Sequence, residues 1–488
     1  MATTIPAGYT PSVAELLFVL SESAKLVRYT NKGPQHRIRE ITEDSIVRIL
    51  AIHTTPASGA VCLDIGPDRN PTLLISSDDP AFLSHISVAT PLIRSLASAA
   101  IAFDSEAAHT AQCGLITYIL QHSLGPHVAD YNQLHNKLRE DLEANMFKDV
   151  TMASEGSEVI WLRKEVEVWC DGLKVALDVI EKAPNKVLPG DFEEVDMFWA
   201  WAKRQYAFLV RFKNAYAHVR KYSDQRPRRL INGRFGHIDL PSAVNLLRYM
   251  GHIIRAIVPP LMRLANPETD RSQFAWLTNL PTRKLETVQS SALADLSSID
   301  IDPLGLKDWL STLVRNPLRK HDSERKVVES VIPVESVGQR WASYVENSSV
   351  HPEVTQLIDM INTSLASNSD PNVPIQWVHR SLIACPDTCC HACALLCEAI
   401  KNAYGLTPRN LYISPIQGDI AIAQYQSPCR IPALPEKVEE ELKKLLSEKI
   451  KAIVNFEIER RINKDLVRRV EERRGVVFPS DSSTDDVR

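Results

Sequence analysis

Five of the nine cysteines fall within thirteen consecutive residues, a density typical of a metal-binding or catalytic segment in a reducing compartment. Two of them, Cys390 and Cys393, are three positions apart at the start of a predicted helix, where residues i and i+3 share one face. The positive end of the helix dipole favours their thiolate form, which is the form that binds a metal. Alone, such a pair is also typical of a redox couple, half of a structural zinc site or two core cysteines. The other three of the five are Cys385, Cys389 and Cys397, while Cys62, Cys113, Cys170 and Cys429 are scattered.

A histidine and a glutamate lie upstream in the order that a metal-dependent hydrolytic site requires. One residue separates His351 from Glu353, and 36 residues, room for one helix and one strand, separate Glu353 from Cys390. This arrangement matches the H-x-E…P-C-x-x-C signature of zinc deaminases, except at the proline before the first cysteine. In such a site zinc keeps one position open for a water and lowers its pKa, while the glutamate shuttles protons and is not a ligand. The sequence therefore predicts a zinc site with Glu353 as the catalytic residue and with the ligands His351, Cys390 and Cys393.

These two segments resemble a fungal-expanded branch of the cytidine deaminase-like superfamily, related to deaminase domains of bacterial toxins. That branch has a V-H-x-E-x-x-L-like helix start, then a strand ending in I-G-C-S-K, followed by x-S-C-x-x-C. Here the first segment reads VHPEVTQLI from Val350, and residues 383–393 read IACPDTCCHAC in the same register. The resemblance covers roughly residues 330 to 430. Members also carry a long helical N-terminal region and a charged helix after the domain, as this chain does.

The resemblance implies an α/β/α domain that hydrolytically deaminates a nucleobase, as a hydrolase acting on C–N bonds of cyclic amidines. The sequence leaves open whether the base is free, in a nucleotide or in a polynucleotide. In a polynucleotide the base must be unstacked or single-stranded to reach the zinc. The chain departs from the pattern at Pro386 and Asp387, which replace a Ser-Lys pair, and in the turn PIQGD, which lacks an expected histidine. These departures bear on substrate choice and activity more than on zinc binding.

Two other interpretations of the same residues remain open. In the first, the zinc only stabilises the fold, which requires a fourth protein ligand such as Cys389 or Cys385. In the second, the helical region is an interaction scaffold and the Cys-x-x-Cys pair is incidental. His391, between the two ligand cysteines, is expected to point away from the metal.

Composition narrows the class of protein. The chain has 488 residues, of which 44% are hydrophobic and 24% are charged, and a formal net charge of −4. These values are typical of a soluble globular protein with two to four domains. The near balance of charge argues against a general nucleic-acid coat or a polybasic membrane anchor. Because no secretory signal or membrane span is visible, we expect an intracellular protein, cytoplasmic or nuclear, without a membrane partner.

Hydrophobic periodicity outlines the elements that must position the site. The first 325 residues are mostly helical in pattern, although AVCLDI (60–65) and PTLLISS (71–77) are candidates for short strands. After residue 330 helical and strand-like runs alternate, which favours an α/β layer structure. From Pro435 to about Arg474 apolar residues step by three and four, which predicts a long amphipathic helix. That helix would pack on its own chain or form a coiled-coil contact in an oligomer or with a partner protein.

The predicted fold class is α+β: a long, mostly helical N-terminal region, an α/β/α cytidine deaminase-like domain and a C-terminal charged helix. Residues 158–181, 192–222 and 241–264 are further predicted helices of the N-terminal region. The predicted boundaries are 1–150 for a mostly helical subdomain, 151–325 for a helical subdomain with a linker, 326–432 for the zinc domain, 433–475 for the amphipathic helix and 476–488 for a disordered tail.

Overall fold

A computed structural model describes most of the chain around the two motifs. The described residues are 9–26, 30–31, 59–65, 71–125, 128–143, five positions between 167 and 177, 275–286, 300–316, 321–366, 380–385, 390–407, 410–415, 420–421 and 428–473. The predicted helices at 192–222 and 241–264, most of the one at 158–181, and the predicted tail at 476–488 lie outside these residues.

The described elements alternate between helices and short strands. The helices are α1 (Val13–Leu26), α2 (Pro80–Ile101), α3 (Ser105–Leu124), α4 (Val128–Glu143), α5 (Ala275–Thr278), α6 (Pro303–Val314), α7 (His321–Val331), α8 (Val337–Asn347), α9 (Pro352–Ala366), α10 (His391–Tyr404) and α11 (Glu436–Arg473). The strands are β1 (Thr30–Asn31), β2 (Gly59–Ile65), β3 (Pro71–Ser77), β4 (Thr282–Lys284), β5 (Arg380–Cys385), β6 (Leu411–Pro415) and β7 (Ile420–Ala421). Helices dominate these residues, five of the strands form a mixed sheet, and β1 and β7 form a separate antiparallel pair, so the α+β class is confirmed.

A five-stranded sheet in the order β4-β3-β2-β5-β6 forms the centre of the fold. The pairs β2–β3 and β2–β5 are antiparallel, whereas β3–β4 and β5–β6 are parallel. The candidate runs 60–65 and 71–77 are indeed strands, and their nearly continuous burial is typical of a sheet covered on both faces. Two of the five strands therefore come from residues 59–77, far outside the segment 326–432 that the sequence marks as the zinc domain.

Two helices that begin at the motifs pack beside each other. Helix α9 contacts β2, β3 and β5, and α10 contacts α9 and β6. The long helix α11 lies against α10, α1, α6 and α7, so the N-terminal helix and the C-terminal helix pack together. Its buried stripe follows the predicted periodicity through Val438, Leu442, Leu446, Ile450 and Ile453. Further along the same helix Leu466 is 53% exposed, so the packed part of the stripe ends before this position.

Helices α7 and α8 are short elements that the sequence did not predict. Charged residues dominate α7, and only a narrow stripe that includes Val327, Val328 and Val331 is buried. In α8 the aromatic pair Trp341 and Tyr344 is buried. Such short, polar helices depend on tertiary packing for their stability, which a local pattern does not reveal. Among the described helices none is long and apolar enough to cross a membrane.

One buried amide ties the site helix α9 to the N-terminal strands. The Gln356 side chain is fully buried, and its Nε2 donates to the carbonyl oxygen of Ala60 at 2.8 Å and to that of Leu74 at 3.4 Å. Because an interior amide loses its hydrogen bonds to water, these contacts offset the cost of burying it. Gln356 therefore fixes the position of α9 over β2 and β3.

We expect Gln356→Ala to lower the free energy of unfolding by about 2–4 kcal/mol, because it removes this hydrogen bond and leaves a cavity. Urea unfolding of the full chain, followed by circular dichroism, measures the change. Asn362→Ala on the exposed side of the same helix is the matched control and should shift stability by no more than about 0.5 kcal/mol. Equal effects of the two substitutions would contradict the role given to Gln356.

Candidate metal centre

The amino end of α9 positions the histidine. Pro352 occupies the first helical position, where a missing N–H costs nothing, and the Thr355 N–H donates to the His351 carbonyl oxygen at 3.2 Å. His351 thus stands at the start of the helix, and it is only 2% exposed. Its Nδ1 atom faces the amino end of the neighbouring helix α10.

The amino end of α10 positions both cysteines of the Cys-x-x-Cys pair. Cys390 is the N-cap, and its Sγ accepts a hydrogen bond from the Cys393 N–H at 3.4 Å. A thiolate is well suited to this position because helix N-termini favour negative charge. The two Sγ atoms lie 3.3 Å apart, so the predicted arrangement of both sulfurs at a helix start is confirmed.

A third chain segment brings in a residue that the sequence analysis left among the scattered cysteines. Ser349 and Cys429 form an isolated parallel β-bridge, with hydrogen bonds from Ser349 N–H to the Pro428 oxygen at 3.0 Å and from Arg430 N–H to the Ser349 oxygen at 2.8 Å. Since Ser349 is two residues before His351, this bridge places Cys429 beside the histidine. No local pattern marks Cys429, which is 36 residues beyond Cys393.

The four side chains form one compact cluster. His351 Nδ1 is 3.4 Å from each of the Cys390 and Cys393 sulfurs, and Cys393 Sγ is 3.9 Å from Cys429 Sγ. All four ligand atoms lie within 4.8 Å of one another, and all four residues are buried. Given Zn–S and Zn–N bonds of about 2.3 and 2.1 Å, ligand atoms of a tetrahedral zinc site are about 3.6–3.8 Å apart. The measured separations fit one metal ion held by four protein atoms.

The cluster is strongly coupled in its protonation. Burial alone lowers the pKa of His351, but the adjacent Cys429 and Cys390 sulfurs outweigh it and raise that pKa to about 12. Burial alone would raise the pKa of Cys390, yet hydrogen bonds with Cys393, Cys429 and His351 bring it well below its usual value. The hydrogen bond between Cys429 and Cys390 is the main cause that raises the pKa of Cys429 to about 11. These shifts favour the protonated forms of His351 and Cys429 and the thiolate form of Cys390.

Glu353 lies in the first turn of α9 and is fully buried. It is not one of the four clustered ligand residues. Burial of a carboxylate is costly unless partners or a metal compensate for lost hydration, and such residues concentrate at functional sites. Glu353 is therefore a buried carboxyl residue two positions after His351, and its catalytic role stays a prediction.

The other residues named in the sequence analysis lie elsewhere or outside the described part. His391 is buried but is not in the cluster, and burial, with a smaller effect of Lys449, lowers its pKa to about 4. Cys397 is buried on α10, also outside the cluster. Cys389 and the Pro386–Asp387 pair lie outside the described residues, as does the side chain of Cys385.

No family model, curated protein or solved structure matches this chain. The chemistry of the donor set therefore carries the interpretation of the site. Three sulfurs and one imidazole nitrogen are soft donors that select zinc over Mg²⁺ or Ca²⁺, which prefer oxygen. The cluster is thus a candidate zinc centre, and among the described residues it is the one group of this kind.

Zinc binding should release at least two protons, because His351 and Cys429 both carry protons at neutral pH and both must lose them to bind a metal. The apparent zinc affinity should therefore rise about 100-fold per pH unit between about pH 6 and 8. Calorimetric titration of the reduced, zinc-free protein in buffers of different ionisation enthalpy measures the proton count. A count near zero, or an affinity independent of pH, would contradict the raised pKa values of these two groups or their binding to the metal.

Proposed function

We propose that this chain is a zinc-dependent hydrolytic deaminase that acts on a nucleobase. His351, Cys390 and Cys393 would hold the zinc, and Glu353 would move protons. The observation that carries this proposal is the meeting of the two motif halves, distant in sequence, at the adjoining amino ends of α9 and α10.

The reaction would exchange an exocyclic amine of the base for a carbonyl oxygen and release ammonia. Zinc, when bound, supplies the Lewis acidity that makes a water nucleophilic at neutral pH. Glu353 would carry the first proton of that water to the ring nitrogen as the C–O bond forms. It would then carry the second, from the added hydroxyl group, to the amine, which leaves as ammonia as the C–N bond breaks and the carbonyl forms. The complete burial of Glu353 would keep bulk water away from these transfers.

The burial of the cluster also restricts the substrate. A base within a duplex cannot reach ligand residues that are between 0 and 7% exposed. We therefore propose a free nucleoside or nucleotide, or a base in single-stranded nucleic acid, as the substrate class.

A second candidate function has a specific observation in its favour. In this alternative the zinc stabilises a catalytically inactive, deaminase-like domain. Catalytic zinc sites usually keep a position free of protein ligands, whereas structural sites have four protein ligands. Cys429 completes a set of four, a role that the sequence analysis had considered only for Cys389 and Cys385.

Glu353→Gln should separate the two functions. The amide keeps the size of the side chain but cannot accept the proton, so deamination should fall by at least about 10²- to 10⁴-fold while zinc content stays near one per chain. Cys390→Ser should instead lose zinc and lower the melting temperature, because metal-binding free energy is also folding free energy. Glu346→Ala, an exposed glutamate on the preceding helix, is the matched control and should change neither.

The measurements are zinc stoichiometry, melting temperature and ammonia release from a panel of nucleosides, nucleotides and single strands. Wild-type protein that binds zinc but releases no ammonia from the whole panel would favour the fold-stabilising zinc. Loss of zinc in Glu353→Gln would give the glutamate a structural role in the centre.

A further inference from the structure

We propose that Cys429 is the fourth zinc ligand and occupies the coordination position that the hydrolytic water needs, so that the fold holds the centre closed. This arrangement has the consequence that deamination requires Cys429 to leave the metal, and that consequence rests on the proposed function. The assignment of the ligand itself rests only on the geometry of the cluster.

The position of the sulfur supports ligation. The 3.9 Å between the Cys429 and Cys393 sulfurs is close to the separation of about 3.8 Å between two thiolates on one tetrahedral zinc. The Cys429 sulfur also lies within 4.8 Å of the ligand atoms of His351 and Cys390. It is 7% exposed, the same value as Cys390, so both sulfurs belong to one buried site.

The backbone of Cys429 is held in this place. The bridge to Ser349 fixes it on one side, and the Tyr344 hydroxyl donates to the Cys429 carbonyl oxygen at 3.0 Å on the other. Tyr344 is stacked on Trp341, and both rings pack edge-on against Phe18 of α1. Tyr344 is therefore a positioning residue for Cys429, supported by the N-terminal helix.

The four ligands differ in how they are attached to the fold. His351, Cys390 and Cys393 stand at the starts of two packed helices, and Cys390 and Cys393 are further linked by the N-cap hydrogen bond. Cys429 instead lies outside any helix or named strand, in a segment held at the site by the bridge to Ser349 and by the Tyr344 hydrogen bond. Its departure would leave the other three ligands on their helices and expose one position of the metal. The closed centre is thus one ligand away from the open centre that a zinc deaminase requires.

Cobalt substitution tests the ligand count without relying on activity. Reduced protein loaded with one Co²⁺ per chain should show a thiolate-to-cobalt charge-transfer band that falls by about a third in Cys429→Ala, because two thiolates remain of three. Cys397→Ala, a buried cysteine on α10 outside the cluster, is the matched control and should leave the band unchanged. Azide should not perturb the wild-type spectrum, since no position is free, and should perturb that of Cys429→Ala.

The outcomes separate this inference from the proposed function. A wild-type cobalt spectrum that azide perturbs, or a band unchanged in Cys429→Ala, would overturn the closed centre and leave the proposed deaminase intact. If Cys429→Ala loses cobalt altogether, the wild-type spectrum still tests the closed centre. A spectrum that azide leaves unchanged supports it, and one that azide perturbs overturns it. A centre that is closed in the wild type, with ammonia release at least tenfold higher in Cys429→Ala, supports both proposals. A centre that opens in Cys429→Ala without ammonia release from any substrate keeps Cys429 as a ligand and overturns the deaminase.

Discussion

The convergence of three sulfurs and one imidazole in a space without bulk water is the constraint on which the rest of this structure depends. Each of these groups is costly to bury alone when charged, whereas together the sulfurs raise the pKa of His351 and hydrogen bonds lower that of Cys390. The cluster therefore suits a bound cation, which would take the place of protons on these groups. The surrounding fold must hold ligand atoms from three separate chain segments within 4.8 Å of one another.

The fold meets this requirement by bringing helix starts together. Strand β5 ends at Cys385, five residues before Cys390, so the sheet sets where α10 begins. Helix α9 lies over β2 and β3 and is fixed there by the Gln356 amide. The two helices pack against each other, and their amino ends supply one ligand set. The positive helix ends then favour the thiolates that the metal needs.

Both ends of the chain contribute to the same unit. Strands β2 and β3 complete the sheet beside β5, and α1 packs on α11 and on the aromatic pair of α8. Through Tyr344 this packing reaches the carbonyl of Cys429. A substitution in α1 can therefore alter the metal centre without touching a ligand, because Phe18 supports the ring that holds the fourth cysteine.

The sequence by itself indicated which residues form the site. The order and spacing of His351, Glu353, Cys390 and Cys393 predicted two helix starts and three metal ligands, because these depend on local helix geometry and on residue type. The periodicity after Pro435 likewise predicted the bounds of α11, observed as Glu436–Arg473. Apolar runs of β-forming residues were enough to indicate β2 and β3 as candidate strands, although not their partners.

Only the tertiary structure decided how the site is closed and what surrounds it. The pairing of β2 with β5 joins residues more than 300 positions apart, for example Val61 with Ala384, and no local pattern encodes such a register. Cys429 has no spacing relation to the other ligands, since a β-bridge to Ser349 brings it there. The sequence pattern left one metal position for water, whereas the fold places a sulfur beside it. The physical reason is that coordination is completed by whichever side chain the packing brings within bonding distance, irrespective of its separation along the chain.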